Sequence, residues 1–135
     1  MALINWSDTL SIGIESIDTQ HKQLVKIINK LNDALEQGQA NDVIGEVLAD
    51  VAGYTEMHFG YEESLFKKYD YPETETHIQA HKDLIASVLE LQEKLQQDDF
   101  MVGVETMSFL KDWLTGHILK ADKAFAPHMI ERGVT

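Results

Sequence analysis

The residues of this 135-residue chain best suited to chemistry are its six histidines, His21, His58, His77, His81, His117 and His128, with Glu62 and Asp122 nearby. Each of the first five histidines extends an apolar helical stripe. His21 lies three residues before Leu24, His58 four after Tyr54, and His117 three after Leu114. His77 and His81 are four apart, and Leu84 continues their line. Positions so spaced share one helix face, so the five imidazoles point into a core. A single histidine on such a stripe is usually an ordinary core residue. Five buried imidazoles in one small core each need a partner, and a shared metal site supplies one.

Two carboxylates join them. Glu62 lies one turn after His58 on the same face. Asp122 lies five residues after His117, a step that turns an ideal helix by roughly 500° and leaves about 140° between the side chains. Asp122 therefore reaches the histidines only if the helix ends, bends or bulges near Lys120-Ala121, an irregularity typical of functional sites.

The chain contains no cysteine, which excludes disulfides, zinc–thiolate sites, iron–sulfur clusters and thiolate haem ligation. Any metal must be held by nitrogen and oxygen. Five imidazoles and two carboxylates exceed what one ion needs; two ions sharing the carboxylates as bridges use them fully. A mixed imidazole–carboxylate set in a helical bundle points first to iron. The Glu-x-x-His pairs of di-iron carboxylate oxygenases are absent. So are His-Glu-x-x-His, a phosphate-binding Walker loop and a Gly-x-Ser-x-Gly elbow. A histidine-rich set has fewer anionic donors to stabilise highly oxidised iron, which favours binding dioxygen over activating it.

Four amphipathic segments must position these residues. The first is expected from Thr19 to Gln37, with Asp18 as N-cap, Gly38 as stop, and Leu24, Ile28, Leu31 and Leu35 as its stripe beside Ile27. The second runs from Asn41 to Lys67 with Val43, Val47, Val51 and Tyr54 aligned. The third starts just after Pro72 and continues to Gln96 through Leu84, Val88, Leu91 and Leu95. The fourth runs from Val102 to Leu119 through Met107, Leu110 and Leu114. The expectation is a single all-α domain, an antiparallel up-down-up-down four-helix bundle over 18–119. An extended N-terminal arm (1–17), pinned by Trp6, precedes it, and a short C-terminal helix (120–135) follows, ending by Gly133. The histidines fall early, late, early and late in successive helices, so antiparallel packing gathers all five at one end.

The formal net charge is −12. No basic face is visible, which argues against nucleic acid as a partner, and an anionic membrane surface would repel the chain. No apolar run approaches the ~20 residues of a membrane span, and the start lacks a basic signal-peptide region. The expectation is a self-repelling, monomeric cytoplasmic protein.

Four segments together resemble the hemerythrin family, and within it the single-domain bacteriohemerythrins. They are Ile17-Asp18-Thr19-Gln20-His21; His58-Phe59-Gly60-Tyr61-Glu62-Glu63; Tyr71-Pro72 followed by His77-Ile78-Gln79-Ala80-His81; and Trp113-Leu114-Thr115-Gly116-His117-Ile118 leading to Asp122. The resemblance spans Trp6 to about Pro127. It implies two non-haem irons per chain, one on His77, His81 and His117, the other on His21 and His58 with an open position. Glu62 and Asp122 would bridge them with an oxo or hydroxo group. Dioxygen would bind reversibly at the open iron, inside a dry pocket walled by Leu24, Trp113, Leu114 and Ile118, with Leu114 as a gate. The implied role is dioxygen storage or delivery, with an oxygen-consuming enzyme as a conceivable receiver, and not catalysis. Peroxide or nitric-oxide chemistry and oxygen or redox sensing are the alternatives. Phe66 stands where the family often has methionine, and Phe125 near a common tyrosine. His128 matches no ligand position and is expected to face solvent. Glu63 is expected to face away or to support a ligand.

Overall fold

The computed structural model describes residues 4–37, 41–96 and 102–135, in which helices are the only regular elements. A 3-10 turn, Asp8–Leu10, precedes α1 (Glu15–Glu36), α2 (Asn41–Lys68), α3 (Thr74–Gln96) and α4 (Val102–His117). A π-helical turn, Ile118–Asp122, then leads into α5 (Lys123–Glu131). Helix α1 packs on α2 and α4, and α3 packs on the same two, giving the expected four-helix bundle. The expected stop at Gly38 lies outside the described residues, as do the side chains of Leu31, Leu35, Val43 and Leu95.

The end away from the histidines is hydrocarbon. Ile27, Ile28, Val47, Leu48, Val51, Val88, Leu91 and Leu110 are all buried there, each worth roughly 1.5–3 kcal/mol against exposure. The α2–α3 corner is tight. Asp70 takes a left-handed φ of 51°, a conformation a short polar side chain tolerates. The Tyr71 N–H donates to the Phe66 carbonyl at 3.1 Å, and the Thr74 hydroxyl donates to the Tyr71 carbonyl at 2.5 Å. This turn sets α3 in the register that brings its first two turns beside the end of α2.

Two expectations need correction. Helix α1 begins at Glu15, four residues ahead of Thr19, so Asp18 is not its N-cap. The Asp18 carboxylate instead reaches back, accepting from the Ser11 hydroxyl at 2.6 Å and the Ile12 N–H at 3.0 Å. Those bonds fasten the arm to the helix, where Gly13 supplies the positive φ of 83°. The arm is also tied by Asn29, whose amide exchanges two 2.9 Å bonds with the Ile4 backbone. Trp6 lies half-buried under the Lys22 ammonium, 5.4 Å from its ring. The second correction is His128, which is half-buried and not solvent-facing. Its ring N–H donates to the Tyr69 carbonyl at 2.7 Å, and the ring packs edge-on to Tyr71. It pins α5 to the end of α2.

Candidate metal centre

The antiparallel arrangement brings His21 from α1, His58 and Glu62 from α2, His77 and His81 from α3, and His117 from α4 to one end of the core. Asp122 joins them from the π turn. All seven are buried, the carboxylates completely and His117 least at 8% exposure. The five-residue step is resolved as physical chemistry requires. The Lys123 N–H bonds back to the Ile118 carbonyl, an i→i+5 bond, and the widened turn swings Asp122 to the His117 side.

The carboxylate oxygens divide between two groups of imidazoles. Asp122 Oδ1 lies 3.1 Å from His77 Nε2 and 3.2 Å from His117 Nε2, while Oδ2 lies 2.9 Å from His21 Nε2. Glu62 Oε1 lies 3.1 Å from His81 Nε2 and 3.6 Å from His77 Nε2, while Oε2 lies 3.5 Å from His58 Nε2. Atoms of Glu62, His77, His81 and His117 that could hold a metal ion all fall within 4.8 Å of one another, and so do those of His21, His58 and Glu62.

None of these close pairs has hydrogen-bonding geometry. All five Nε2 atoms, all four carboxylate oxygens and His21 Nδ1 are buried without a hydrogen-bond partner. An unsatisfied buried polar group costs roughly 1–3 kcal/mol, so convergence of this many at one point needs an external partner. Lone pairs on neutral imidazole and carboxylate suit a divalent transition metal, and the residues fit iron.

Groups behind these side chains hold them. His58 Nδ1–H donates to the Gln20 side-chain carbonyl, and His81 Nδ1–H donates to the Glu63 carboxylate at 3.2 Å. Both acceptors lack a proton to give, so each ring carries its proton on Nδ1 and presents a bare Nε2. Glu63 does not face away: it reaches the His81 ring. Gln20 was not anticipated; its nearness to His58 arises from α1–α2 packing, and the only local signal is its place beside His21. Rings lock the imidazoles as well. Phe59 stacks on His81 at 3.7 Å, Trp113 on His117 at 4.9 Å, Phe66 tilts against His77, and Phe125 meets His77 edge-on. The Tyr61 hydroxyl donates to Ser16 at 2.8 Å and ties α2 to α1 alongside.

Burial and mutual charge set the metal-free protonation pattern. Desolvation, helped by neighbouring histidines, lowers His58 to about 3 and His81 to about 2. Desolvation also pushes Glu62 up to about 8, with the Asp122 charge adding to the rise. At His77 desolvation works the other way, but contacts with Asp122 and Glu62 outweigh it and raise the ring to about 9. Asp122 is raised by desolvation and lowered more strongly by His117, His21 and His77, ending well below the usual carboxylate range. The metal-free centre thus holds protons on Glu62 and His77, beside an ionised Asp122.

Leu24, Leu114 and Ile118 are buried at 2% exposure or less and pack into the core. Trp113 differs. It is half-buried, stacks on His117, and helps line an open groove of about 460 Å³ with Asp83, Phe109, Asp112 and Gly116.

Comparison with known proteins agrees with this architecture. Residues 12–129 match the Hemerythrin HHE cation binding domain. The chain is 37% identical over 125 residues to a bacteriohemerythrin of Pseudomonas aeruginosa (strain LESB58), covering 93% of this chain and 80% of that protein. It is 33% identical to a bacteriohemerythrin of Methylococcus capsulatus (strain ATCC 33009 / NCIMB 11132 / Bath), covering 94% and 97%. A wild-type hemerythrin crystal structure superposes with a TM-score of 0.84 at 32% identity, covering 93% of this chain and 97% of that one. Fold, buried ligand set and relatives converge: the chain belongs to the hemerythrin family and is a non-haem, iron-binding protein of that type.

Proposed function

We propose that the chain holds two irons and binds dioxygen reversibly between them and its apolar wall, storing or delivering oxygen without turnover. His77, His81 and His117 would hold one ion and His21 and His58 the other, with Glu62 and Asp122 each giving one oxygen to each ion. The observation that carries this reading is the division of both carboxylates between the two histidine groups. A single-ion site has no use for that division. Bound ferrous iron would supply the electrons that dioxygen takes up and returns.

The protein's own part is positional and protective. The two-histidine position would have one protein ligand fewer, which would make it the place for dioxygen. Gln20 and Glu63 fix the ring tautomers, so no proton must leave an Nε2 of His58 or His81 when metal binds. Leu24, Leu114 and Ile118 keep water and stray protons out, the condition for returning dioxygen intact. Leu114 lies one turn before His117 and serves as the gate, with Trp113 walling the side of His117 that faces solvent. No helix among the described residues is long and apolar enough to cross a membrane. The carrier is read as a monomeric, cytoplasmic one that supplies an oxygen-consuming enzyme.

The test is a spectrum of the ferrous protein while dioxygen is added and removed. Charge-transfer bands that appear and vanish over repeated cycles are expected. Irreversible conversion to the ferric form, or sustained consumption of peroxide or nitric oxide, would overturn the carrier reading.

A further inference from the structure

The two hydrogen bonds behind the ligands differ in charge. His81 donates to a carboxylate, Glu63, with 30% of its side chain exposed, whereas His58 donates to the neutral amide of Gln20. Each partner sits against a different histidine group. A carboxylate draws the Nδ1 proton more strongly than an amide carbonyl does, because charge-assisted bonds are roughly twice as strong as neutral ones. The ring it holds becomes the richer electron donor through Nε2. A richer donor stabilises the more highly charged state of its ion.

We infer that Glu63 makes the His77–His81–His117 position the easier of the two to oxidise, while Gln20 keeps the His21–His58 position at higher potential. This rests on the two-iron reading above. The ions would then be inequivalent by construction, beyond their difference in ligand number. Glu63 is a tuning residue that acts through His81 and touches neither iron nor dioxygen.

Potentiometric titration of the iron-loaded protein, with ferricyanide taking one electron per Fe(II) converted to Fe(III), should show two separated steps. Electron paramagnetic resonance should detect the mixed-valence form between them. Glu63→Gln should weaken the first position's preference for the oxidised ion about tenfold, a rise of about 59 mV in the first step, and leave the second nearly in place. Gln20→Glu should lower the second step and narrow the mixed-valence window from the other side. Both variants keep an oxygen that accepts from the ring Nδ1–H, and iron content is measured for each beside its potentials; a Glu63→Gln protein short of two irons is treated as one that fails to fold. A wild-type protein that does not hold two irons defeats the two-iron reading. A Glu63→Gln protein that holds two irons, with both steps unmoved or moved equally, overturns this inference alone. Should Glu63→Gln fail to fold, Gln20→Glu decides the matter by the same criterion.

Discussion

The two ends of the bundle are built on opposite rules. At one end Ile27, Val47, Leu48, Val88 and Leu110 close a dry hydrocarbon core that asks for no partner. At the other, seven ionisable side chains are buried as deeply, and ten of their polar atoms lack a hydrogen bond. The difference shows a division of labour. The hydrocarbon end holds the helices together well enough that the metal end can carry groups that would be unfavourable without an ion.

That contrast can be broken first by removing metal. Loaded protein, with free ion a thousandfold over its dissociation constant at each position, should gain about 4 kcal/mol per ion, or about 8 kcal/mol for two, over the metal-free form. Calorimetry should register a rise in Tm on the order of 20–30 °C. Leu48→Ala probes the other end. It should cost roughly 2–5 kcal/mol with iron content unchanged. Asp122→Ala should do the reverse, since it strips a ligand from both positions. Metal analysis should find both ions lost while the helical circular dichroism persists.

Leu114→Ala is a subtler insult, opening the wall without touching a ligand. Dioxygen exchange and autoxidation should both quicken several-fold in stopped-flow records. Unchanged rates would remove Leu114 as the gate.

pH sharpens the comparison next. Glu62 at about 8 and His77 at about 9 hold protons at pH 7 in the metal-free protein. Metal binding must expel them, roughly two protons per chain, so apparent metal affinity should rise between pH 7 and 9. Calorimetric titration in buffers of different ionisation heat counts the protons released. His58 and His81 act on metal-free stability at lower pH. Their folded values are depressed, to about 3 and about 2. The stability they contribute is present above the ordinary histidine value of about 6.5 and is lost as pH falls from there toward those values. Thermal melts of metal-free protein should therefore be lower at pH 5 than at pH 7 through these two groups. His128→Ala should have the smallest effect, about 1 kcal/mol from its bond to Tyr69, with α5 fraying and the iron centre intact.

Much of this was legible in the sequence because the fold is locally encoded. Apolar stripes through Leu24, Val47, Leu84 and Leu110 gave helices their faces, and early–late alternation of the histidines followed from antiparallel packing. The 140° misfit between His117 and Asp122 demanded an irregular turn, and a π turn lies over Ile118–Asp122. What escaped depends on distant partners. Asp18 looked like a cap because it precedes a periodic run, but Ile14 and Ile17 are fully buried and carry α1 a turn further back. His128 looked idle because its acceptor, the Tyr69 carbonyl, lies 59 residues away in sequence. Gln20 and the stacking of Phe59 and Trp113 on the ligands likewise arise only when helices meet.

The most direct test of the shared-carboxylate centre is an anaerobic titration of metal-free protein with ferrous ion. Trp113 stacks on His117, so its fluorescence should report filling of the nearer position, while iron retained after desalting reports both. Retention that rises to two ions per chain and stops is the expected result. Retention that saturates at one ion, with the other histidine group still free to titrate, would contradict the account.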